Sequence, residues 1–158
     1  MPVHPFAPVY DRHSSILILG SFPSVRSREE GFYYGHPRNR FWPMLALHYG
    51  EPLPGTVQEK AELLLTHRLA LWDVLAGCEI SGSSDAAIRH ASVNDLSVLM
   101  AQCPIDKVLC NGKTAGKYYA VYMEPVFGMK AEVLPSTSPA NAAFSMERLL
   151  AAWGPYLP

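Results

Sequence analysis

Three short stretches of this chain carry residue types that suit a chemical site. The first is the turn Gly20-Ser21-Phe22-Pro23-Ser24, directly after an early apolar run. The second runs from Gly31 to Trp42 and holds three consecutive aromatic residues, a histidine and an asparagine. The third is the loop Leu134-Pro135-Ser136-Thr137-Ser138-Pro139, in which prolines bracket three hydroxyl side chains. Together they predict a pocket with a stacking surface, a polar catalytic group and a rigid hydroxyl clamp.

In the second stretch, Tyr34, His36 and Asn39 have the clearest chemical uses. An aromatic side chain in a loop can lie flat against a planar base, which is worth roughly 1–3 kcal/mol, or it can simply fill a gap. Asn39 follows Pro37 at a predicted helix start. It is therefore either a helix-capping residue or a residue whose amide oxygen orients a water. His36 is the competing candidate, because an imidazole can take a proton near neutral pH.

The other two stretches and one further turn supply candidates for holding a ligand. Asn111 ends a predicted buried strand, and its amide can read a base edge or simply form a turn with Gly112. Backbone N–H groups near Ser21 and Phe22 can point toward the same cleft.

The hydroxyl-rich loop is interpreted either as a phosphate clamp or as an ordinary serine-rich turn. No Gly-x-Ser-x-Gly pattern surrounds its serines, so the sequence does not indicate a serine nucleophile. Basic side chains interleaved with the aromatic residues of the second stretch favour contact with phosphates as well. The candidates for DNA binding are Ser136, Thr137 and Ser138 in the loop, His36, Arg38 and Arg40 in the second stretch, and Arg26 and Arg28 just before it.

Composition limits what else the protein can be. The 158 residues include 13 basic and 14 acidic side chains, which argues against binding nucleic acid by bulk charge. The three cysteines lack metal-ligand spacing. The first residues lack the basic-then-apolar pattern of a signal peptide, and no apolar run is long enough for a membrane, so we expect neither feature. We expect one domain over residues 1–158, cytoplasmic and monomeric, with no metal, no cofactor and no obligate protein partner.

Apolar runs and helix signals alternate along the chain. The patterns predict strands at 15–19, 69–74, 107–110 and 131–134. They predict helices at 38–49, 56–66, 94–100, 113–123 and 142–153, with a Gly/Ser loop at 77–85. This alternation predicts an α/β fold, a three-layer α/β/α arrangement with a central, mostly parallel four-stranded sheet. Ligands of such sheets bind beyond the carboxyl ends of the strands, where three of the motifs fall.

Taken together, residues 15–141 resemble the uracil-DNA glycosylase superfamily. The turn after the first strand and the loop after the last strand look like its first and second motifs, and Gly31 to Trp42 resembles the matching region of the mismatch-specific uracil/thymine enzymes. One position departs: those enzymes have a catalytic Asn or Asp before the proline of the first motif, where this chain has Phe22. The branch with this form and a downstream Asn is the hypoxanthine-DNA glycosylase branch.

The resemblance implies roles for three residues. It implies that Asn39 is the catalytic residue, that Tyr34 stacks on the base and that Asn111 reads the base edge. It also implies a cofactor-free DNA glycosylase that flips a deaminated base, most simply hypoxanthine, and hydrolyses its N-glycosidic bond. The alternatives are a uracil-preferring glycosylase of the same fold, a damaged-DNA-binding relative without catalysis and a small-molecule hydrolase.

Overall fold

The computed structural model describes residues 6–22, 32–79 and 89–158, with side chains outside 77–79 and 89–92. Several predictions fall on other residues and lie outside the described ranges. They concern Pro23 and Ser24 of the first motif, Arg26, Arg28, Gly31 and most of the predicted Gly/Ser loop, including Ser83, Ser84 and Asp85.

Four of the strands in the described ranges form one parallel sheet. The strands are β1 (Ile16–Gly20), β2 (Leu69–Asp73), β3 (Leu75–Glu79), β4 (Arg89–Val93), β5 (Lys107–Asn111) and β6 (Ala131–Leu134). The central sheet has the order β2-β1-β5-β6, and each neighbouring pair is parallel. This confirms the predicted α/β fold with a central four-stranded sheet.

Helices connect these strands close to the predicted positions. They are α1 (Phe41–Tyr49), α2 (Val57–Thr66), α3 (Ser97–Gln102), α4 (Lys113–Tyr122), α5 (Glu124–Phe127) and α6 (Met146–Trp153). The predicted capping box begins α2, where the Thr56 hydroxyl accepts from the Glu59 N–H and the Glu59 carboxylate accepts from the Thr56 N–H. Gly50 ends α1 with a left-handed φ of 66°. No helix in the described part of the chain is long and apolar enough to cross a membrane.

The central sheet is covered on both faces. Successive side chains of a strand point to opposite faces, so Ile16 and Ile18 of β1 enter one core while Leu17 and Leu19 enter the other. The first core is closed by apolar residues of α1, α2 and α6. The second is closed by residues of α3 and α4. The unbroken apolar run of β1 is explained by this burial on both faces.

The structure differs from prediction beside β2. Residues 77–79 belong to β3, which pairs with β4 in a small antiparallel sheet, so the predicted loop does not begin at Gly77. Asn94 does not cap a helix, because α3 begins at Ser97. Instead the Asn94 amide nitrogen donates to the carbonyls of Asp73 (2.8 Å) and Leu75 (3.3 Å). Those two bonds satisfy buried backbone acceptors where the chain leaves the central sheet.

The carboxyl ends of the four central strands form one rim, and the ends of β1, β5 and β6 carry the predicted site. The chain runs from β1 outward to β2 and returns on the other side of β1 as β5, which makes a topological switch point. Ligands of open α/β sheets bind at such points. Gly112 follows β5 with a φ of 97°, and an added Cβ there would lie 3.3 Å from the Ser136 Cβ. A glycine at this position therefore lets the turn after β5 approach the loop after β6.

Candidate active site

A tight turn holds Asn39 at the entrance to α1. The Asn39 N–H donates to the His36 carbonyl at 2.9 Å, and the Arg38 N–H donates to His36 Nδ1 at 3.0 Å. The Asn39 Oδ1 accepts from the Phe41 N–H in the first turn of α1 at 2.9 Å. Asparagine commonly makes this local bond at a helix start. Here it also orients the amide of the predicted catalytic residue.

Thr137 lies on the loop after β6 with no exposed surface. Its N–H donates to Asn111 Oδ1 at 3.0 Å, and its carbonyl accepts from the Arg40 N–H at 3.1 Å. Its hydroxyl lies 3.0 Å from Asn111 Nδ2 and 2.9 Å from Asn39 Oδ1. Every polar group of Thr137 is thus bonded inside the protein. The predicted phosphate contact of Thr137 is corrected, because its hydroxyl joins two asparagines instead.

The direction of each hydrogen bond in this cluster follows from two backbone donors. The N–H groups of Phe41 and Thr137 cannot accept, so the amide atom that faces each of them is an oxygen. Asn111 must then turn its nitrogen to the Thr137 hydroxyl, and that hydroxyl must donate to Asn39 Oδ1. The bonds run from Asn111 through Thr137 to Asn39 in one direction only. We call these three residues the Asn-Thr-Asn chain.

The Asn-Thr-Asn chain determines which atoms of the two asparagines can bind a ligand. The Asn39 Oδ1 already accepts from two donors within the protein, so its amide nitrogen is the less engaged end of the side chain, and the role of Asn39 toward a water stays a prediction. Both N–H groups of Asn39 Nδ2 lack an acceptor among the described residues. One N–H of Asn111 Nδ2 likewise remains, and both side chains are half-buried. The site therefore presents N–H donors, which suit oxo groups, developing negative charge or the oxygen of a water.

Tyr34, on the segment that leads to Asn39, has an unusual backbone conformation. Its φ of 54° lies in the left-handed region that tyrosine seldom adopts. Its half-buried ring lies 4.3 Å from the Phe41 ring, centroid to centroid, at 33°. Its hydroxyl lies at the end of β1, where a Cβ added to Gly20 would be 2.8 Å from it. Strained residues of this kind persist where neighbours hold them and are found at ligand sites.

Asp73 is a buried carboxylate on the same rim. It ends β2 opposite Gly20, and it is 3% exposed. A Cβ added to Gly20 would meet the Asp73 Oδ1 at 2.3 Å, so only glycine fits there. Burial, followed by the charges of Asp73 and Tyr34, raises the pKa of Tyr33. The Tyr33 hydroxyl accordingly stays protonated and donates to the Ala7 carbonyl.

Arg40 has a structural role that the sequence did not predict. Its guanidinium donates to the carbonyls of Ser138, Asn141 and Phe144. These bonds use three of the five guanidinium N–H donors on the loop after β6, and a phosphate contact of Arg40 stays a prediction. Arg38 is exposed on the neighbouring turn and keeps its side chain on the surface.

Ser136 and Ser138 are half-buried on the loop and shape its turns. Ser136 Oγ accepts from the Ser138 N–H at 3.1 Å, and Ser138 Oγ accepts from the Ala140 N–H at 3.1 Å. Each hydroxyl keeps its own hydrogen for another acceptor. Phe22 is buried in the second core, while Ser21 is half-buried and its carbonyl accepts from Leu75. The predicted roles of these residues toward a ligand remain predictions.

Cysteine and metal chemistry find no support on this rim. Burial raises the pKa of Cys110, one residue before Asn111, to about 12, so its thiol stays protonated. Within the described ranges no three His, Cys, Asp or Glu side chains are grouped to hold a metal ion.

The sequence singled out Asn39, Asn111 and Tyr34, but it gave no sign of the bonds through Thr137 that join the two asparagines. The Thr137 hydroxyl was predicted to lie on the surface as part of a phosphate clamp, because a Pro-Ser-Thr-Ser-Pro run does not indicate which hydroxyl is buried. The burial of Asp73 gave only a weak signal, an acidic residue at the end of an apolar run.

An open α/β sheet with polar side chains gathered at its switch point defines a class of ligand-binding and catalytic proteins. Within that class, residues 7–153 match the sequence profile of the uracil DNA glycosylase superfamily. The chain belongs to this superfamily and is a DNA N-glycosylase.

Individual relatives agree with this assignment over most of the chain. A hypoxanthine DNA glycosylase from Methanosarcina acetivorans is 40% identical over 148 residues, 90% of each chain. A hypoxanthine DNA glycosylase from Methanosarcina barkeri is 38% identical over 141 residues, 86% of each. The solution NMR structure of a candidate uracil DNA glycosylase from M. acetivorans superposes with a TM-score of 0.79 at 36% identity, covering 92% of this chain and 91% of that one.

Proposed function

We propose that this protein removes hypoxanthine from deoxyinosine in DNA and leaves an abasic site, the first step of base excision repair. The observation that carries the proposal is the Asn-Thr-Asn chain, which leaves three N–H groups, two on Asn39 and one on Asn111. Phe41, whose N–H holds the Asn39 amide oxygen, also packs against the Tyr34 ring. The hypoxanthine glycosylase relatives at 40% and 38% identity support the choice of base.

Donor groups favour a deaminated base over its parent. Hypoxanthine carries an oxo group where adenine carries an amino group. The remaining N–H of Asn111 can donate to the oxo group of hypoxanthine. It cannot bond to the amino group of adenine, which is itself a donor. A site built to hydrogen-bond one group rejects the analogue that lacks it, because the buried donor is then unpaired.

Tyr34 would hold the base outside the duplex. Flipping costs a few kcal/mol and least at a mispaired base, so a lesion is favoured before its edge is read. The held backbone of Tyr34 and its contact with Phe41 fix the ring before a base arrives. Preorganisation of this kind lowers the entropy that binding would otherwise cost.

The chemical step replaces the C1′–N9 bond with a C1′–O bond and moves one proton from the water to the base. The C1′–N9 bond lengthens until the sugar is oxocarbenium-like and both bonding electrons have moved to the base. N–H donors of Asn39 and Asn111 stabilise that charge or hold the water oxygen, and the water adds to C1′. One proton of the water ends on the departing base. The products are free hypoxanthine and an abasic sugar, and His36 is the alternative group for assisting the water.

DNA would be held by local contacts, since the net charge is −1. Ser136 and Ser138 keep hydroxyl hydrogens that can donate to phosphates flanking the flipped nucleotide. Arg38 is exposed on the turn that carries Asn39. Backbone N–H groups around Ser21 and Phe22 would add donors at the end of β1.

We further propose that the protein acts as a monomer in the cytoplasm. One chain supplies all three members of the Asn-Thr-Asn chain and the adjacent ring. Cys103 and Cys110 are free and buried, which suits a reducing compartment.

A uracil-preferring activity is the second candidate. Uracil also carries an oxo group where cytosine carries an amino group, so the same N–H donors suit it. The structural neighbour at 36% identity, a candidate uracil DNA glycosylase, supports this choice. Phe22 stands against it, because the usual catalytic Asn or Asp of the first motif is missing.

A substrate panel tests the proposal. Labelled duplexes carrying one deoxyinosine, deoxyuridine, mismatched thymine or ordinary deoxyadenosine are incubated with the protein and then treated with alkali. We expect a cut at deoxyinosine and none at deoxyadenosine. The Asn39→Ala variant, purified in the same way, controls for a contaminating glycosylase.

Each other result changes a defined part of the account. A cut only at deoxyuridine would retain the reaction and replace the base. A protein that binds deoxyinosine duplexes but cuts no substrate would be a binding relative without catalysis.

A further inference from the structure

We infer that Thr137 is a positioning residue for base release, one that acts through both asparagines. The backbone N–H groups of Phe41 and Thr137 turn the Asn39 and Asn111 amides so that both offer N–H groups to a ligand, and the buried Thr137 hydroxyl gives each amide a second hydrogen bond that holds it there. Thr137 itself need not touch the DNA, because it has no exposed surface. The inference rests on the proposed function for its catalytic meaning.

The hydroxyl is the only link between the two amides that the described hydrogen bonds provide. Without it, Asn39 keeps the bond from Phe41 and Asn111 keeps the bond from the Thr137 N–H. Each amide would then be held by one hydrogen bond instead of two, and its remaining N–H groups would be less well directed. A residue with a hydroxyl at this position therefore couples the group that reads the base to the group that serves the reaction.

The surrounding loop holds Thr137 in place from several sides. Arg40 donates to the Thr137 carbonyl from its N–H and to three more loop carbonyls from its guanidinium. The Trp153 indole donates to the Pro135 carbonyl at 2.9 Å, and the Asn141 amide donates to the Ser136 carbonyl at 3.0 Å. The loop backbone is thus anchored independently of the hydroxyl. Removing the hydroxyl should release the amides without releasing the loop.

Two variants separate the hydroxyl from the shape of the side chain. Thr137→Val removes the hydroxyl and keeps the volume, whereas Thr137→Ser keeps the hydroxyl and loses a methyl group. Thr56→Val serves as the matched control, because it removes a threonine hydroxyl that caps α2 and makes none of the bonds of the Asn-Thr-Asn chain. Thermal unfolding is recorded for all three, so that rates refer to folded protein.

Single-turnover release of the base is measured at saturating protein, together with binding to a duplex that carries a stable abasic analogue. A small misplacement near the reacting atoms can cost about 100-fold in rate. We expect Thr137→Val to be slower by about 10- to 100-fold, with nearly unchanged binding. Thr137→Ser should recover most of the rate, and Thr56→Val should match the wild type.

A double-variant cycle adds a readout that a general loss of structure would not produce. If Thr137 acts through the asparagines, Thr137→Val should cost little more once Asn39→Ala is present, because coupled residues are non-additive. In the free, isotope-labelled protein, the NMR signals of both side-chain amides should shift in Thr137→Val and stay near their wild-type positions in Thr137→Ser.

The inference is overturned if Thr137→Val keeps the wild-type rate, or if its effect adds fully to that of Asn39→Ala. Unshifted amide signals in Thr137→Val would overturn the structural part without any reference to activity. Failure of the proposed function is seen separately, as absence of base release by the wild-type protein. That result would remove the catalytic role of Thr137 as well, while the NMR comparison would still decide whether its hydroxyl orients the amides.

Discussion

Two regions of the rim use asparagine in opposite ways. At the junction of β2 and β3, Asn94 is 9% exposed and gives its amide N–H groups to the backbone carbonyls of Asp73 and Leu75. At the ends of β5 and β6, Asn39 and Asn111 are half-buried, and they bond through their amide oxygens to backbone N–H groups. In the first region the amide N–H groups bind backbone carbonyls. In the second, three amide N–H groups have no acceptor among the described residues.

The difference teaches that residue type does not decide whether an amide is functional. Asn39 and Asn94 both precede a helix, and both read as capping residues in the sequence. What separates them is the set of backbone groups that each side chain meets. An asparagine side chain that faces backbone carbonyls donates its own N–H groups to them. One that faces backbone N–H groups accepts through its oxygen, and its own N–H groups stay available.

The largest effect should come from Asn39. Asn39→Ala removes two N–H donors from the proposed site, and loss of one such donor costs about 100- to 1,000-fold in turnover elsewhere. We expect a loss of that size in single-turnover release, with DNA binding retained. Asn39→Asp sharpens the test, because its carboxylate can still accept from Phe41 and Thr137 but cannot donate.

Asn39→Asp should therefore be as impaired as Asn39→Ala. An active Asn39→Asp variant would mean that an acceptor orients the water after all. Full activity in Asn39→Ala would instead move the catalytic role to His36.

The second effect concerns the residues that hold the base. Tyr34→Ala removes a stacking surface worth roughly 1–3 kcal/mol, so kcat/KM and binding should fall together by about 5- to 150-fold. Asn111→Ala should also weaken both. Tyr34→Phe is the control that keeps the ring, and it should retain most of the binding of the wild type. Equal binding by Tyr34→Ala and the wild type would contradict the stacking role.

The fold could be predicted more fully than the site. The apolar runs of β1 and β5 predict strands that are buried on both faces. The Thr56 and Glu59 pair predicts the start of α2. The β3–β4 pair was missed, since Gly77 and the glycine and serine residues beyond β3 resemble a loop. The burial of the Thr137 hydroxyl was missed too, because it depends on Asn111 and Asn39, which lie 26 and 98 positions earlier in the sequence. Such distant contacts leave no local pattern in the sequence.

The third effect separates the two regions of the rim. Asn94→Ala removes one donor from each of two backbone carbonyls, which should lower the free energy of unfolding by about 1–3 kcal/mol. Chemical denaturation measures that loss. Base release per folded molecule should stay within about twofold of the wild type, a difference of less than half a kcal/mol. A large loss of rate in fully folded Asn94→Ala would mean that the β2–β3 junction also serves the reaction.

The smallest effect should come from Arg38, the exposed arginine of the Asn39 turn. Arg38→Ala should weaken DNA binding a few-fold and lower the salt slope of binding by about one, as loss of one phosphate contact does. Titrations at several salt concentrations measure this slope. Arg40→Ala is the contrasting variant, since it removes three bonds to loop carbonyls and should lower stability instead. An unchanged salt slope in Arg38→Ala would exclude the predicted phosphate contact.

The central claim is that this site releases hypoxanthine through Asn39. The most direct measurement is mass-spectrometric detection of free base after a single turnover on a duplex with one deoxyinosine, for the wild type and Asn39→Ala side by side. The account predicts stoichiometric hypoxanthine and an abasic strand from the wild type, and at most a trace from an Asn39→Ala protein that still binds the duplex. No hypoxanthine from the wild type, or equal release from both proteins, would contradict it.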